Sequence, residues 1–381
     1  VEKELYIGIM TGTSMDGIDT VIADLSAFPI VLHHGTKQFP ADLKEILSEL
    51  ASARTVDMDM LARSHFLLAE VYSEAVAGAL NDSSINKEDI TAIGLHGQTI
   101  RHLPDRVRLA KEFPPVGATF QLGSGAALAA LAEVDVVSDF RSADVALGGE
   151  GAPLMPMFDK AFLQSAKNDR IALNIGGIAN ITFLPAWEGE IVAFDTGPGN
   201  MISDALAALY FDMPFDRDGE IARSGRTDDA FLAELLKNQY FTRKPPKSTG
   251  RELFGKEFLD RFLQEIRSER ITPKDAIATA SELTVRSIAE AIAMTNAKSP
   301  FEVIVSGGGV KNIFMMERLR DHISDGVVMS SDEIGIASQS KEALAFAFFA
   351  KAFLEGKIIH LPKTTGASSE TILGVLSKGR R

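Results

Sequence analysis

Residues 8–25 read GIMTGTSMDGIDTVIADL. A strand-like apolar run turns through Thr11, Gly12, Thr13, Ser14 and Gly17 and then becomes apolar again from Ile18. A tight hairpin needs only two turn residues, typically Asn-Gly or Asp-Gly. This connection is longer and rich in hydroxyls and flexible backbone, the composition of an anion cradle. An ordinary polar hairpin loop has the same composition, and this stretch alone does not separate the two readings.

Outward from it, 5–10, 18–25 and 30–39 read as three successive strands, followed by helices near 41–52 and 57–80. Leu61, Leu68, Val71 and Tyr72 lie close to a 3.6-residue period in the second helix. Next come strands in ITAIGLHGQTI (90–100), TFQLG (119–123) and VDVVSDF (134–140), with an Ala/Leu-rich helix at 125–132. From residue 170 the layout starts again. RIALNIGG, IANITFLP and GEIVAFDTGPGN read as three strands running into a helix at 200–210. FEVIVSGGG (301–309), a helix at 311–322, GVVMSS (326–331) and a helix at about 338–355 complete it. The fold expected is α/β, with duplicated βββαβαβα halves and an interdomain cleft, where ligands usually lie in such architectures. The predicted domains are 1–140 with about 356–381, and 141–355.

The 381 residues suit two domains. A hydrophobic content of 45% and a charged content of 24% describe a globular chain. A net charge of −13 without long basic runs argues against nucleic acid or an anionic membrane as partner. With no cysteine, disulfides, thiolate metal sites and cysteine nucleophiles are excluded. No apolar run approaches the roughly 18 residues of a membrane helix, and no signal-peptide pattern is present, so a cytoplasmic location is expected. The seven histidines lack His-x-x-x-His spacing, which disfavours a zinc hydrolase.

A glycine-bearing turn in each half suits a polyphosphate, because successive amides in a tight turn form an anion-binding concavity. The second such turn holds Gly176 and Gly177. The triplet Gly307, Gly308, Gly309, between a strand and a helix, leaves room for a flat ring such as a purine. Asp195, at the end of an apolar strand before Gly197 and a helix, reads either as a general base facing the cleft or as the cap of that helix. His96, Gln98 and Thr99 offer mixed donors and acceptors to a sugar; His96 alternatively is a core histidine. Arg141 either clamps a carboxylate or pairs with Asp139 or Asp144. PPKSTGRELF (245–254) lacks the phosphate-loop spacing G-x-x-x-x-G-K-[ST] and a preceding strand. Its Lys247, Ser248, Thr249 and Arg251 form a solvated turn or reach substrate. Glu342 opens the last long helix, favoured there by the dipole or projecting into the cleft.

Together, GIMTGTSMDGID, LHGQTIRH, DFRSADVALGGEGAPLMP, LNIGGIANIT, FDTGPGN, PKSTGRE and SGGGVKN resemble anhydro-N-acetylmuramic acid kinases, in order and over nearly the whole chain. The resemblance implies a two-domain actin-like ATPase fold of the sugar-kinase and hexokinase kind. The implied enzyme belongs to bacterial cell-wall recycling, uses ATP and Mg²⁺, and is a homodimer. Its substrates would be 1,6-anhydro-N-acetylmuramic acid, ATP and water, and its products N-acetylmuramic acid 6-phosphate and ADP. Gly12, Thr13, Ser14, Met15, Asp16, Gly17, Ile18 and Asp19 match the ATP-binding loop, and Asp195 matches the catalytic aspartate. Gly176, Gly177 and Gly197 fall to the phosphates, and Gly307, Gly308 and Gly309 sit where the superfamily binds adenosine. His96, Gln98, Thr99, Arg141 and Glu342 are the expected substrate contacts. The wider superfamily's metal-binding Asp before the first loop is Met10 here, so no protein ligand is assigned to Mg²⁺. The competing readings are a conventional sugar kinase of the same fold, a chaperone-type ATPase and a nucleotide sensor.

Overall fold

A computed structural model describes residues 3–15, 17–187 and 189–379. The chain divides into two compact units, residues 1–158 with 340–381 and residues 159–339.

In the first unit, β1 (Leu5–Thr11), β2 (Ile18–Asp24) and β3 (Ile30–Lys37) form an antiparallel meander. β4 (Ile90–Leu95) lies parallel to β1 on its other side. The HGQT stretch does not end that strand. The chain turns at His96 and Gly97 and starts β5 (Gln98–Val107), which among the described residues pairs only with β6 (Val116–Leu122), in a two-stranded hairpin. β7 (Val136–Ser138) extends the main sheet parallel to β4. In the second unit, β8 (Arg170–Ile175), β9 (Ile178–Leu184) and β10 (Val192–Pro198) repeat the meander. β11 (Phe301–Ser306) and β12 (Gly326–Ser330) then add in parallel. At the chain's end β13 (Val375–Ser377) pairs antiparallel with β7, a strand not expected from the sequence.

The strand orders are β13-β7-β4-β1-β2-β3 and β10-β9-β8-β11-β12. Leaving β13 aside, both sheets follow one plan: the meander's first strand is central, and the parallel strands join beside it. The expected duplication is present. The central strands β1 and β4 are almost wholly buried and read as unbroken apolar runs, whereas β3 at the edge alternates in exposure.

The division differs from the expected one at two places: residues 141–158 and the helix Lys341–Leu354 fall in the first unit. Glycines explain the second. A Cβ on Gly8 would lie 1.8 Å from the Ala343 carbonyl oxygen, and one on Gly94 1.9 Å from that of Phe346. The helix backbone therefore rests directly on β1 and β4, a contact that no side-chain pattern announces.

Candidate functional site

Asp195 lies inside β10 rather than at its end, facing Asn180 of β9. The register shifts between Asp195 and Gly197, leaving Thr196 as a bulge, a device that re-aims neighbouring side chains. Gly197 has φ +149°, and a Cβ there would meet the Phe241 ring at 2.8 Å. Asp195 caps no helix. The amides of Gly199, Asn200 and Met201 donate instead to the carbonyls of Gly176 and Gly177 at 2.8, 2.8 and 3.3 Å. The capping alternative is thereby corrected: those amides are occupied by the glycine hairpin.

What holds Asp195 is the PPKST stretch. The Thr249 N–H donates to Asp195 Oδ2 at 2.9 Å, and the Asp195 N–H donates to the Lys247 carbonyl at 3.2 Å. The Tyr240 hydroxyl donates to the Asp195 carbonyl at 2.7 Å. Lys247 is buried, not solvated: its Nζ donates to the carbonyls of Tyr240 and Phe241 and lies 4.8 Å from the Tyr240 ring centroid. Loss of hydration raises the Asp195 carboxyl to about 6, with Glu252 adding to the rise and the Thr249 amide and Lys247 opposing it. Oδ1 makes no hydrogen bond among the described residues. A carboxylate with one oxygen fixed, the other open and its proton affinity moved toward neutrality is suited to proton abstraction.

The same unit contains a cavity of about 390 Å³ lined by Asn200, Asp204, Phe215, Asp216, Arg217, Asp218, Gly308, Lys311, Asn312 and Gln339. Its glycine triplet is divided in role. Gly307 has φ +84°, and a Cβ on Gly309 would strike Ile175 at 2.4 Å, so both are required by packing. Gly308 meets only Asn200 Nδ2 at 3.7 Å and faces the cavity. Sequence reasoning missed Asp204, whose carboxyl is raised to about 7 by desolvation and then by Asp216. Polar residues on two helical segments carried no signal of a shared pocket.

In the first unit, the loop between β1 and β2 opens on Gly12, whose carbonyl accepts from the Met15 amide and from Gln98 Nε2, both at 3.2 Å. Thr13 and Ser14 are exposed, whereas the Met15 and Ile18 side chains sit in the apolar core, so those two offer a ligand only backbone. Asp16 lies outside the described residues. Gly17 packs on Thr36, and Asp19 accepts from the Thr36 hydroxyl at 2.5 Å.

His96 is buried with both ring nitrogens engaged, Nδ1 with the Thr11 carbonyl at 3.2 Å and Nε2 with Arg141 at 2.9 Å. The carbonyl requires a donor and the guanidinium an acceptor, so the ring is the neutral Nδ1–H tautomer. Burial and the Arg141 charge accordingly lower its pKa to about 3. Of the readings open for His96, the geometry is that of a satisfied core histidine. Arg141 bonds neither Asp139 nor Asp144. Its Nη1 donates to the Gly151 carbonyl at 2.6 Å, while Asp139 takes the Ser142 amide and Asp144 takes Gly151, His360 and Thr365. Gln98 is fully buried, and its Oε1 has no partner among the described residues. Thr99 accepts from Gln121 at 3.3 Å. Glu342 remains accessible, within a charged recess with Asp19, Lys341 and Arg141. Reduced hydration and then the Asp19 charge raise its carboxyl, against Lys341 and Arg141.

The family described as anhydro-N-acetylmuramic acid kinase matches residues 4–379. An anhydro-N-acetylmuramic acid kinase of Salinibacter ruber is 40% identical over 386 residues, covering 98% of this chain and 96% of the relative. One from Shewanella baltica is 40% identical over 375 residues, covering 98% of both. Among solved structures, an activator of 2-hydroxyisocaproyl-CoA dehydratase from Clostridium difficile with bound ADPNP is similar at a TM-score of 0.49 and 11% identity, covering 92% of this chain and 96% of that one. With the family's description matching from the first strand to beyond the last, the chain belongs to the anhydro-N-acetylmuramic acid kinase family.

Proposed function

We propose that this chain opens 1,6-anhydro-N-acetylmuramic acid with water and phosphorylates the 6-oxygen from ATP, giving N-acetylmuramic acid 6-phosphate and ADP. The observation that carries the reading is Asp195, with Oδ2 tied to Thr249, Oδ1 open and a carboxyl raised to about 6. The anhydro bridge leaves the 6-oxygen without a proton, so the base acts on water. Asp195 takes one proton as the water oxygen bonds to the anomeric carbon and the bond to the 6-oxygen breaks. That oxygen's electron pair bonds to the γ-phosphorus, and ADP leaves. A typical glycosidase uses two carboxylates; here the phosphoryl group replaces the acid at the leaving oxygen.

The base of ATP is assigned to the cavity beside Gly308, and the phosphates to the loop from Gly12 to Asp19 and to Gly176 and Gly177. Gln98, Thr99, Arg141 and Glu342 serve the sugar, Arg141 also fixing His96. Among the described residues no group of three His, Asp or Glu is placed to hold a metal ion. Mg²⁺ keeps several waters and takes other ligands from substrate phosphates and one or two carboxylates. Asp19, at the end of the assigned phosphate loop, would offer it a carboxylate. When bound, the ion neutralises charge on the transferring phosphoryl group.

The test is Asp195→Asn in ¹⁸O-labelled water. The native enzyme is expected to place the label on the anomeric carbon and none in the phosphate, and the variant to lose cleavage and phosphorylation together. Ring opening by the variant at a near-native rate would overturn the reading. So would equal phosphorylation of plain N-acetylmuramic acid, which marks a conventional kinase. The proposal includes a homodimer working in the cytoplasm in cell-wall recycling, and a monomeric mass by light scattering would remove the dimer from it. Among the described residues no helix is long and apolar enough to cross a membrane.

A further inference from the structure

Thr249 does more than lend its amide to Asp195. Its Oγ1 is buried and has no hydrogen-bond partner among the described residues, although the backbone nitrogen two bonds from its Cβ donates to Asp195 Oδ2 at 2.9 Å. Buried hydroxyls are nearly always hydrogen-bonded, so an orphan beside a reactive carboxylate calls for a ligand atom. The short covalent path from that nitrogen keeps Oγ1 within a few ångströms of the carboxylate.

The position is held rigidly. Lys247, two residues earlier, is 5% exposed and is pinned by the carbonyls of Tyr240 and Phe241 and by the Tyr240 ring. Its own carbonyl accepts the Asp195 amide. The strap therefore holds Asp195 at two points, its backbone amide through Lys247 and its carboxylate through Thr249.

We infer that Thr249 is a second catalytic residue, whose hydroxyl holds the water that Asp195 deprotonates. One water O–H points to Asp195 Oδ1 and the other to Thr249 Oγ1, which leaves a lone pair directed at the anomeric carbon. When the bond forms, the first proton passes to Asp195; the second stays on the new anomeric hydroxyl, still on Thr249. This inference rests on Asp195 acting as the base toward water.

The experiment compares Thr249→Val, which keeps shape and loses the hydroxyl, with Thr249→Ser, which keeps it. Expected for Thr249→Val is a kcat lowered roughly 10- to 100-fold at all pH values, with KM for ATP and the acid limb of the pH profile unmoved. Thr249→Ser should retain most of the rate. A native kcat in Thr249→Val, while Asp195→Asn is inactive, overturns this inference and leaves the base assignment standing. Ring opening by Asp195→Asn overturns the base assignment first. If Thr249→Val instead shifts the acid limb and recovers at high pH, Thr249 only tunes the carboxylate, and the inference falls. A raised KM for ATP with native kcat points to a phosphate contact and also overturns it. Should Thr249→Val fail to fold, Thr249→Ala against Thr249→Ser gives the same comparison.

Discussion

Arg141 Nη2 lies 2.9 Å from His96 Nε2, a guanidinium bonded to an imidazole that must stay neutral to accept it. Through Nδ1 the same ring reaches the Thr11 carbonyl, at the start of the loop between β1 and β2. The pair thus couples the expected sugar contact to the expected phosphate loop within one unit.

It follows that His96 does not titrate between pH 5 and 9, which imidazole NMR shifts will check. Its folded pKa of about 3 lies below the unfolded value of about 6.5. Between those values the unfolded chain binds the extra proton, so this contribution to stability is complete above about pH 6.5 and declines as pH falls through the window. His96→Ala strands Arg141 and the Thr11 carbonyl and should cost about 1–3 kcal/mol in denaturant melts.

Asp195 carries the opposite sign. Its folded carboxyl, at about 6, binds protons more readily than the unfolded one at about 3.9. Between these values the folded state holds the extra proton, so this term weakens stability as pH rises. Activity moves the other way, because the base must be ionised. The kcat/KM profile should show an acid limb near pH 6 that is absent from residual turnover by Asp195→Asn.

Gly8→Ala is expected to prevent docking of the helix Lys341–Leu354, because its Cβ would overlap the Ala343 carbonyl oxygen at 1.8 Å. The cost should be about 3 kcal/mol or more, seen as loss of folded protein in urea titration. Gly78→Ala is the control: nothing lies within 4 Å of the added carbon in the helix Met58–Ser83, and stability should rise by about 0.5–1 kcal/mol.

Gly308→Val tests the cavity. The position tolerates a Cβ, with Asn200 Nδ2 at 3.7 Å, yet faces the space assigned to the nucleotide base. The expected outcome is an unchanged melting temperature with a KM for ATP raised roughly 10-fold, as about 1.4 kcal/mol of lost binding gives. An unchanged KM would move the base elsewhere.

The meanders, their glycine turns and the Asp195 strand are legible in the sequence because each is local. Continuous apolar runs mark the buried strands β1, β4 and β11, and the turn residues between β1 and β2 and between β8 and β9 announce themselves by backbone need. TFQLG marks β6, whose exposure alternates, whereas β5 was hidden because its exposed half lacks clean alternation, and β13 because three residues carry no period. Lys247 looked solvated because a lysine is rarely buried; only the carbonyls of Tyr240 and Phe241 make it so.

By itself, then, the sequence determined the duplicated α/β plan and the family, since periodicity and motif order are written along the chain. Tertiary structure alone decided that Lys341–Leu354 lies on the first sheet, that His96 is neutral and spoken for, and that Thr249 meets Asp195. The last two depend on hydrogen bonds between residues 45 and 54 positions apart. Such bonds exist only after the chain has closed on itself, when burial removes water as the competing partner and sets which proton each group keeps.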